Sequence, residues 1–150
     1  MNFAELKIRE ATLADESVIY KMICDLEDTV LDIRAFEAVF QKNFKAENIN
    51  YFIADWDGKP VGMVSCHIQS LLHHTALVSE IQEMYVAPEY RSKQVVRELM
   101  NHVVFYAKSK GAIQLEVTSR ATRENAHRFY QKEGFAKSHV KLVRYFNLEK

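Results

Sequence analysis

The densest concentration of groups able to do chemistry is the run Glu80-Ile81-Gln82-Glu83-Met84-Tyr85-Val86-Ala87-Pro88-Glu89-Tyr90-Arg91. From Ser79 to Val86 it alternates as one strand does, stops before Pro88 and leads into an amphipathic helix. A strand edge followed by a helix start can serve one ligand twice. Free backbone N–H and C=O groups at Met84, Tyr85 and Val86 can pair with amides of an extended arm, as an added strand would. The orphan N–H groups of the helix start, at the positive end of its dipole, suit a pyrophosphate. Arg91 and Lys93 add positive charge there.

Titratable side chains surround this run. Glu80 and Glu83 lie three residues apart, so simple alternation sends them to opposite faces of the strand. His67, His73 and His74 sit in and just after the preceding strand and can carry protons near neutrality. With Glu80 they offer ligand atoms for a divalent metal, but their scatter over two strands and a loop gives no metal-ligand spacing, and none is expected. Arg120, Arg123 and Arg128 form a basic cluster, either a solvated face or an anion-binding rim. Cys24 and Cys66 are the only thiols. So widely separated, they make neither a disulfide framework nor a zinc site.

These residues need a scaffold, and the apolar spacing supplies one. Leu6 to Arg9 alternates as a half-buried strand. Thr12 and Asp15 offer caps ahead of Val18, Ile19, Met22, Ile23 and Leu26, one face of a helix. Phe36, Val39, Phe40 and Phe44 mark a second helix. Two apolar runs, from Tyr51 to Ala54 and from Val61 to Cys66, flank Asp57-Gly58, a hairpin signal. Val96, Leu99, Met100, Val103, Val104 and Ala107 form a third helical stripe closed by Gly111, and His102 on that helix reads as a surface residue. Ile113 to Val117 is a strand, Asn125 to Lys132 a short helix ended by Gly134, and Leu142 to Leu148 a last strand. The predicted order is β-α-α-β-β-β-α-β-α-β, an α/β chain with a mixed, mostly antiparallel sheet of six to seven strands flanked by four helices.

Composition narrows the function. At 150 residues the chain reads as a single domain, 1–150, with enough length for a real core. Twenty basic and twenty acidic residues cancel, so no nucleic-acid partner is expected. No apolar run approaches a membrane span and no signal core is visible at the start. A cytoplasmic protein with no membrane partner is the expectation.

The same residues resemble a known superfamily, the GNAT acetyltransferases. Its signature is Arg/Gln-x-x-Gly-x-Gly/Ala after a Val-x-Pro strand, followed by Asn-x-x-Ala-x-x-Phe-Tyr-x-x-x-Gly-Phe. The second motif stands here nearly whole as Ala126-His127-Arg128-Phe129-Tyr130-Gln131-Lys132-Glu133-Gly134-Phe135. Within the superfamily the chain is similar to aminoalkylphosphonate N-acetyltransferases, through Leu72-His73-His74, Glu80-Ile81-Gln82-Glu83, Ala126 to Tyr130, Glu133-Gly134-Phe135 and Ser138-His139. One departure stands out: the phosphate loop reads Arg91-Ser92-Lys93-Gln94-Val95-Val96, with no glycine where the family uses it for close backbone approach.

The resemblance implies acetyl-CoA as co-substrate and the primary amine of a small molecule, an aminoalkylphosphonate among the candidates, as acceptor. It implies Glu80 as general base and Tyr130 as general acid. Coenzyme A contacts fall to Met84, Tyr85 and Val86, to the loop from Arg91 to Val96, and to Arg123. His67 and His74 become candidates for the acceptor's phosphonate. The relatives are described as metal-assisted, and chains of this superfamily often pair as homodimers. Two alternatives stand beside this reading: a GNAT-fold binding module whose coenzyme site is impaired, with Val96 as the obstruction, and an enzyme acting on a protein amine.

Overall fold

A computed structural model describes residues 5–120 and 123–146, which divide into two compact units, Met1–Thr118 and Ser119–Lys150. The first unit carries six strands: β1 (Leu6–Glu10), β2 (Ile49–Trp56), β3 (Lys59–Leu71), β4 (Ala76–Ile81), β5 (Met84–Val86) and β6 (Leu115–Val117). Its helices are α1 (Glu16–Glu27), α2 (Ile33–Lys45) and α3 (Val95–Ser109), and the second unit holds α4 (Glu124–Lys132). The sheet runs β1-β2-β3-β4-β6, with β5 as a second neighbour of β3. Among the described residues only the β4–β6 pair is parallel.

Local chemistry explains the elements. Asp57 and Gly58 both take positive φ, 49° and 82°, the conformation a two-residue hairpin demands, and join β2 to β3. Thr12 and Asp15 form a capping box before α1, and Arg9 clamps Asp15 with two bonds of 2.8 and 2.9 Å while its Nε donates to Asp55 at 2.7 Å. This ties β1, β2 and the start of α1 together. Asp32 caps α2 by accepting from the Arg34 amide at 3.2 Å. Along α2, Phe36 and Phe40 stack at 6.0 Å, and Phe40 stacks on Tyr51 of β2 at 5.7 Å.

Two cores result, one on each face of the sheet. Ala11, Ile19, Met22, Phe40, Ile53, Met63 and Tyr85 fill the face under α1 and α2. On the other face α3 presents Val95, Leu99, Met100, Val103 and Ala107. Val95, not Val96, is the first core residue of this stripe, and Val96 is half-buried. His102 is likewise half-buried, packed edge-on against Phe52 at 4.7 Å, and burial lowers its pKa. It is not the surface residue that its place on the helix suggested.

The single strand expected over Ser79 to Val86 is two strands. His67 lies opposite Glu80 and Ile68 opposite Ser79, whereas Val64 lies opposite Met84 and Gly62 opposite Val86. One residue more is used on the β4–β5 side than on β3, which is a β-bulge at Gln82-Glu83. Ser65 holds it. The buried hydroxyl of Ser65 accepts from the Gln82 amide at 3.2 Å and the Glu83 amide at 2.9 Å, while the Ser65 amide donates to the Glu83 carbonyl at 2.9 Å. Gly62 lets β5 lie close, since a Cβ there would stand 2.8 Å from the Tyr85 carbonyl oxygen.

The last expected strand, Leu142 to Leu148, is also corrected. Residues 142–146 form no strand, and their alternating side chains, Leu142 and Phe146 above all, are exposed; 147 and 148 lie outside the described residues. An alternating pattern marks a segment able to pair but does not choose its partner.

Candidate active site

The bulge decides which side chains meet. Residues opposite one another in a ladder share a face, so Glu80 shares that of His67, and Glu83, opposite Ser65, shares that of Ser65. Met63, Ser65 and His67 alternate along β3 on the α1–α2 side. Glu80 and Glu83 therefore face the same way, against the expectation of opposite faces, because the extra residue restores the phase. Glu116 of β6, in register with Glu80, extends the row.

The described residues leave unequal hydrogen-bonding capacity in this row. Thr118 Oγ1 donates to Glu80 Oε2 at 2.9 Å, and Gln114 Nε2 donates to Glu116 Oε2 at 2.6 Å. Glu83 Oε1 and His67 Nε2 are buried without a hydrogen-bond partner. Tyr51, beside Ser65 on β2, feels the same site: burial raises its pKa, the Asn43 amide donating to its oxygen at 2.9 Å opposes this, and the Glu83 charge adds to it. Among the described residues no three His, Cys, Asp or Glu side chains converge as a metal site.

β5 completes the arrangement. The Ser65 amide bonds the Glu83 carbonyl and the Ala87 amide bonds the Val61 carbonyl at 2.8 Å, so by alternation Tyr85 turns its backbone toward β3 while Met84 and Val86 turn theirs outward. β6 ends its pairing with β4 at Val117 opposite Ile81, and β5 has no second strand neighbour among the described residues. Tyr85 thus offers no free backbone group. Its ring is buried in the α1–α2 core and its hydroxyl donates to Asp25 at 3.1 Å.

The loop between β5 and α3 keeps the conformation glycine would favour. Gln94 takes φ 63° and ψ 15° as the cap residue of α3, without a side-chain capping bond. Arg91 Nε donates to the Val86 carbonyl at 2.9 Å, which engages one outward group of β5 and fixes the guanidinium at the loop. Lys93 Nζ lies 5.6 Å from the centre of the Trp56 ring. Ser92, Lys93 and Gln94 border an open cavity of about 630 Å³ that also meets Leu6, Trp56 and Glu98. Neither this cavity nor a second, of about 910 Å³ near Tyr106 and Lys110, includes Glu80 or Met84. A strand edge open to solvent is not a closed cavity, so the geometry of β5 is the better guide to the site.

The remaining candidates divide. His67 belongs to the row, but His74 lies in the turn after β3 with its ring 4.3 Å from that of His73. Leu71, where β3 ends, is already roughly 13 Å from His67 along the strand. In the second unit burial raises the pKa of Tyr130, and the Arg123 charge at the start of α4 pulls it down. Burial pushes the Cys66 thiol up to about 11, leaving it a poor nucleophile. Sequence reasoning missed Ser65 as the anchor of the bulge; the visible signal was a hydroxyl inside an otherwise apolar run opposite two consecutive polar residues, Gln82 and Glu83.

Comparison with known proteins identifies the family and the fold. The model of the acetyltransferase (GNAT) family matches residues 17–135. An aminoalkylphosphonate N-acetyltransferase from Salmonella typhimurium is 36% identical over 138 residues, 92% of this chain and 90% of that protein. An uncharacterised N-acetyltransferase from Methanocaldococcus jannaschii is 29% identical over 102 residues, 67% of this chain and 45% of its own length. Among solved structures, an aminoglycoside N-acetyltransferase in complex with CoA superposes with a TM-score of 0.86 at 18% identity, covering 97% of this chain and 98% of that one. A protein described as a transcriptional regulator from Bacillus halodurans gives 0.85 at 23% identity, covering 95% and 100%. The two structures share the fold; the family match and the Salmonella relative carry the assignment. The chain belongs to the GNAT acetyltransferase family and is an acyl-CoA-dependent N-acyltransferase.

Proposed function

We propose that the chain moves an acetyl group from acetyl-CoA to the primary amine of a small molecule, with aminoalkylphosphonates the first class to test. The single observation that carries this reading is the split between β4 and β5, which sets outward-facing backbone groups next to a carboxylate row. In this reading the Met84 and Val86 backbones pair with the pantetheine arm. The pyrophosphate lies at the start of α3, against the amides of Val95 and Val96 with Ser92 and Gln94. Arg91, whose terminal nitrogens remain beyond its Nε bond, and Lys93, once it leaves Trp56, add charge, and Arg123 supplies a further cation. The 36% identity to the Salmonella enzyme supports the acceptor class. His67, which stands in the carboxylate row, is the first candidate for the phosphonate, and His74, in the turn beyond β3, the more distant one.

The reaction is direct attack. Glu80 takes a proton from the acceptor ammonium, and the neutral amine forms a C–N bond at the thioester carbonyl carbon. The carbonyl re-forms as the C–S bond breaks, and the departing thiolate takes its proton from Tyr130. The second proton, shed by the new amide nitrogen, restores the Tyr130 phenol, and Glu80 passes its proton to solvent. A phenol held above its ordinary value stays protonated at neutral pH and is ready for that transfer. No step is routed through a metal. A cytoplasmic setting and a homodimer, common in this family, belong to the proposal. No described helix is long and apolar enough to cross a membrane.

The test is thiol release from acetyl-CoA with a panel of aminoalkylphosphonates, polyamines and amino acids, with and without a divalent metal. Turnover that falls about 100- to 10,000-fold in Glu80→Gln is the expected result. Absence of turnover on every amine contradicts the reading. A second reading, a binding module with a weakened coenzyme site, is favoured by one observation, the non-glycine residue held at positive φ in the loop. Calorimetric titration with acetyl-CoA separates the two, since the module predicts no binding.

A further inference from the structure

Glu83 is the carboxylate that the reaction above does not use. It stands two ladder steps from Glu80 on the same face, so roughly 7 Å separates their Cβ atoms. Its backbone is fixed on both sides by Ser65. Thr118 already bonds Glu80, whereas Glu83 Oε1 is buried and has no partner among the described residues. Burying a carboxylate oxygen without a donor is unfavourable, and structures retain such a group where a ligand supplies the donor. Nearby protein donors do not fill the gap. The Ser65 hydroxyl, which accepts from the two bulge amides, turns its own proton to the Glu83 backbone carbonyl at 3.5 Å, and Tyr51 is coupled to Glu83 by charge with no hydrogen bond between them.

We propose that Glu83 is a specificity-determining residue that docks the acceptor as its primary ammonium and hands one of its protons to Glu80. The proposal rests on the reading of the chain as a small-amine acetyltransferase. Two carboxylates spaced along one strand suit a cation with several N–H donors, one bonded to Glu83 throughout and another lost to Glu80. A secondary or tertiary amine has fewer N–H groups for this double contact, so primary amines are favoured. Glu83 changes no covalent bond; it selects the acceptor and aims its nitrogen.

The experiment compares wild type with Glu83→Gln and Glu83→Asp, using aminoethylphosphonate, or the fastest amine of the panel, at saturating acetyl-CoA. Glu83→Gln is expected to raise KM for the amine about 10- to 100-fold with kcat changed only a few-fold. Glu83→Asp, which keeps the charge, is expected to recover most of that loss. Inhibition by ethylphosphonate, which lacks the ammonium, is expected to be unchanged. Equal weakening of ethylphosphonate and the amine means that the substitution acts on structure, and overturns the proposal. So does an unchanged KM in a variant that turns over. Where even the wild type shows no turnover, the acetyltransfer reading fails first, and calorimetric binding of the same two compounds to the CoA-loaded protein still measures the Glu83 difference.

Discussion

β4 and β5 are two halves of what the sequence writes as one strand, and they have opposite fates. β4 is enclosed, with β3 on one side and β6 on the other, so its backbone groups are consumed by the sheet. Among the described residues β5 is held by β3 alone, and it turns Met84 and Val86 outward. Between them a single extra residue resets the phase of the side chains. The enclosed half supplies rigidity and places Glu80; the open half supplies backbone contacts. A recognition edge is thus made from a sheet by interrupting it rather than by adding to it.

The comparison breaks most directly at the acid. Tyr130→Phe is expected to lower kcat about 10- to 100-fold and to leave the β5 edge and acetyl-CoA affinity intact. Because burial raises the phenol's pKa, the wild-type kcat should hold into the alkaline range and fall only as the phenol ionises. A phenyl ring has no proton to lose, so the variant should lack that limb in a pH–rate profile. A fall with the limb unchanged would remove Tyr130 from the chemistry.

Two serines sharpen the contrast. Ser65→Ala removes the acceptor of two bulge amides and is expected to destabilise the fold by about 2–3 kcal/mol and to weaken acetyl-CoA binding. Ser79 of β4 is equally buried, but its hydroxyl donates at 2.6 Å to a Gln114 carbonyl that already accepts from the Ser79 amide. Ser79→Ala should cost only about 1 kcal/mol and spare acetyl-CoA affinity. Denaturant melts and calorimetry on both variants measure the difference, and equal effects on binding would mean that the bulge has no special part in the site.

The smallest effect is expected in the loop. Gln94→Gly removes a Cβ from a left-handed residue, a gain of about 1 kcal/mol that the added freedom of the unfolded chain partly offsets. Acetyl-CoA affinity should rise a few-fold. A loss of affinity would show that the Gln94 side chain itself contacts the ligand.

These contrasts also show how far the sequence could be read. The Asp57-Gly58 hairpin, the aromatic stripe of α2 and the buried positions of α3 follow from local period and turn chemistry. Glu80 and the loop were identifiable as parts of one motif. The phase of Glu83 was not, because a bulge depends on Ser65, 17 residues from Gln82 and 18 from Glu83 in the chain. Its local trace, two polar residues in succession before Met84, interrupts the alternation without showing which partner residue absorbs the extra one. The half-buried His102 and the strandless 142–146 have the same cause. Helical and strand periods mark a face or a pairing tendency, and only the tertiary partner decides whether it is covered.

The most direct measurement of the central claim is amide hydrogen exchange at Met84 and Val86 with and without acetyl-CoA, under conditions where calorimetry shows the site saturated. If β5 is the edge on which the pantetheine arm lies, these two amides gain protection while Tyr85, already bonded to β3, changes little. Saturation without added protection at Met84 and Val86 would contradict the account and place the cofactor elsewhere.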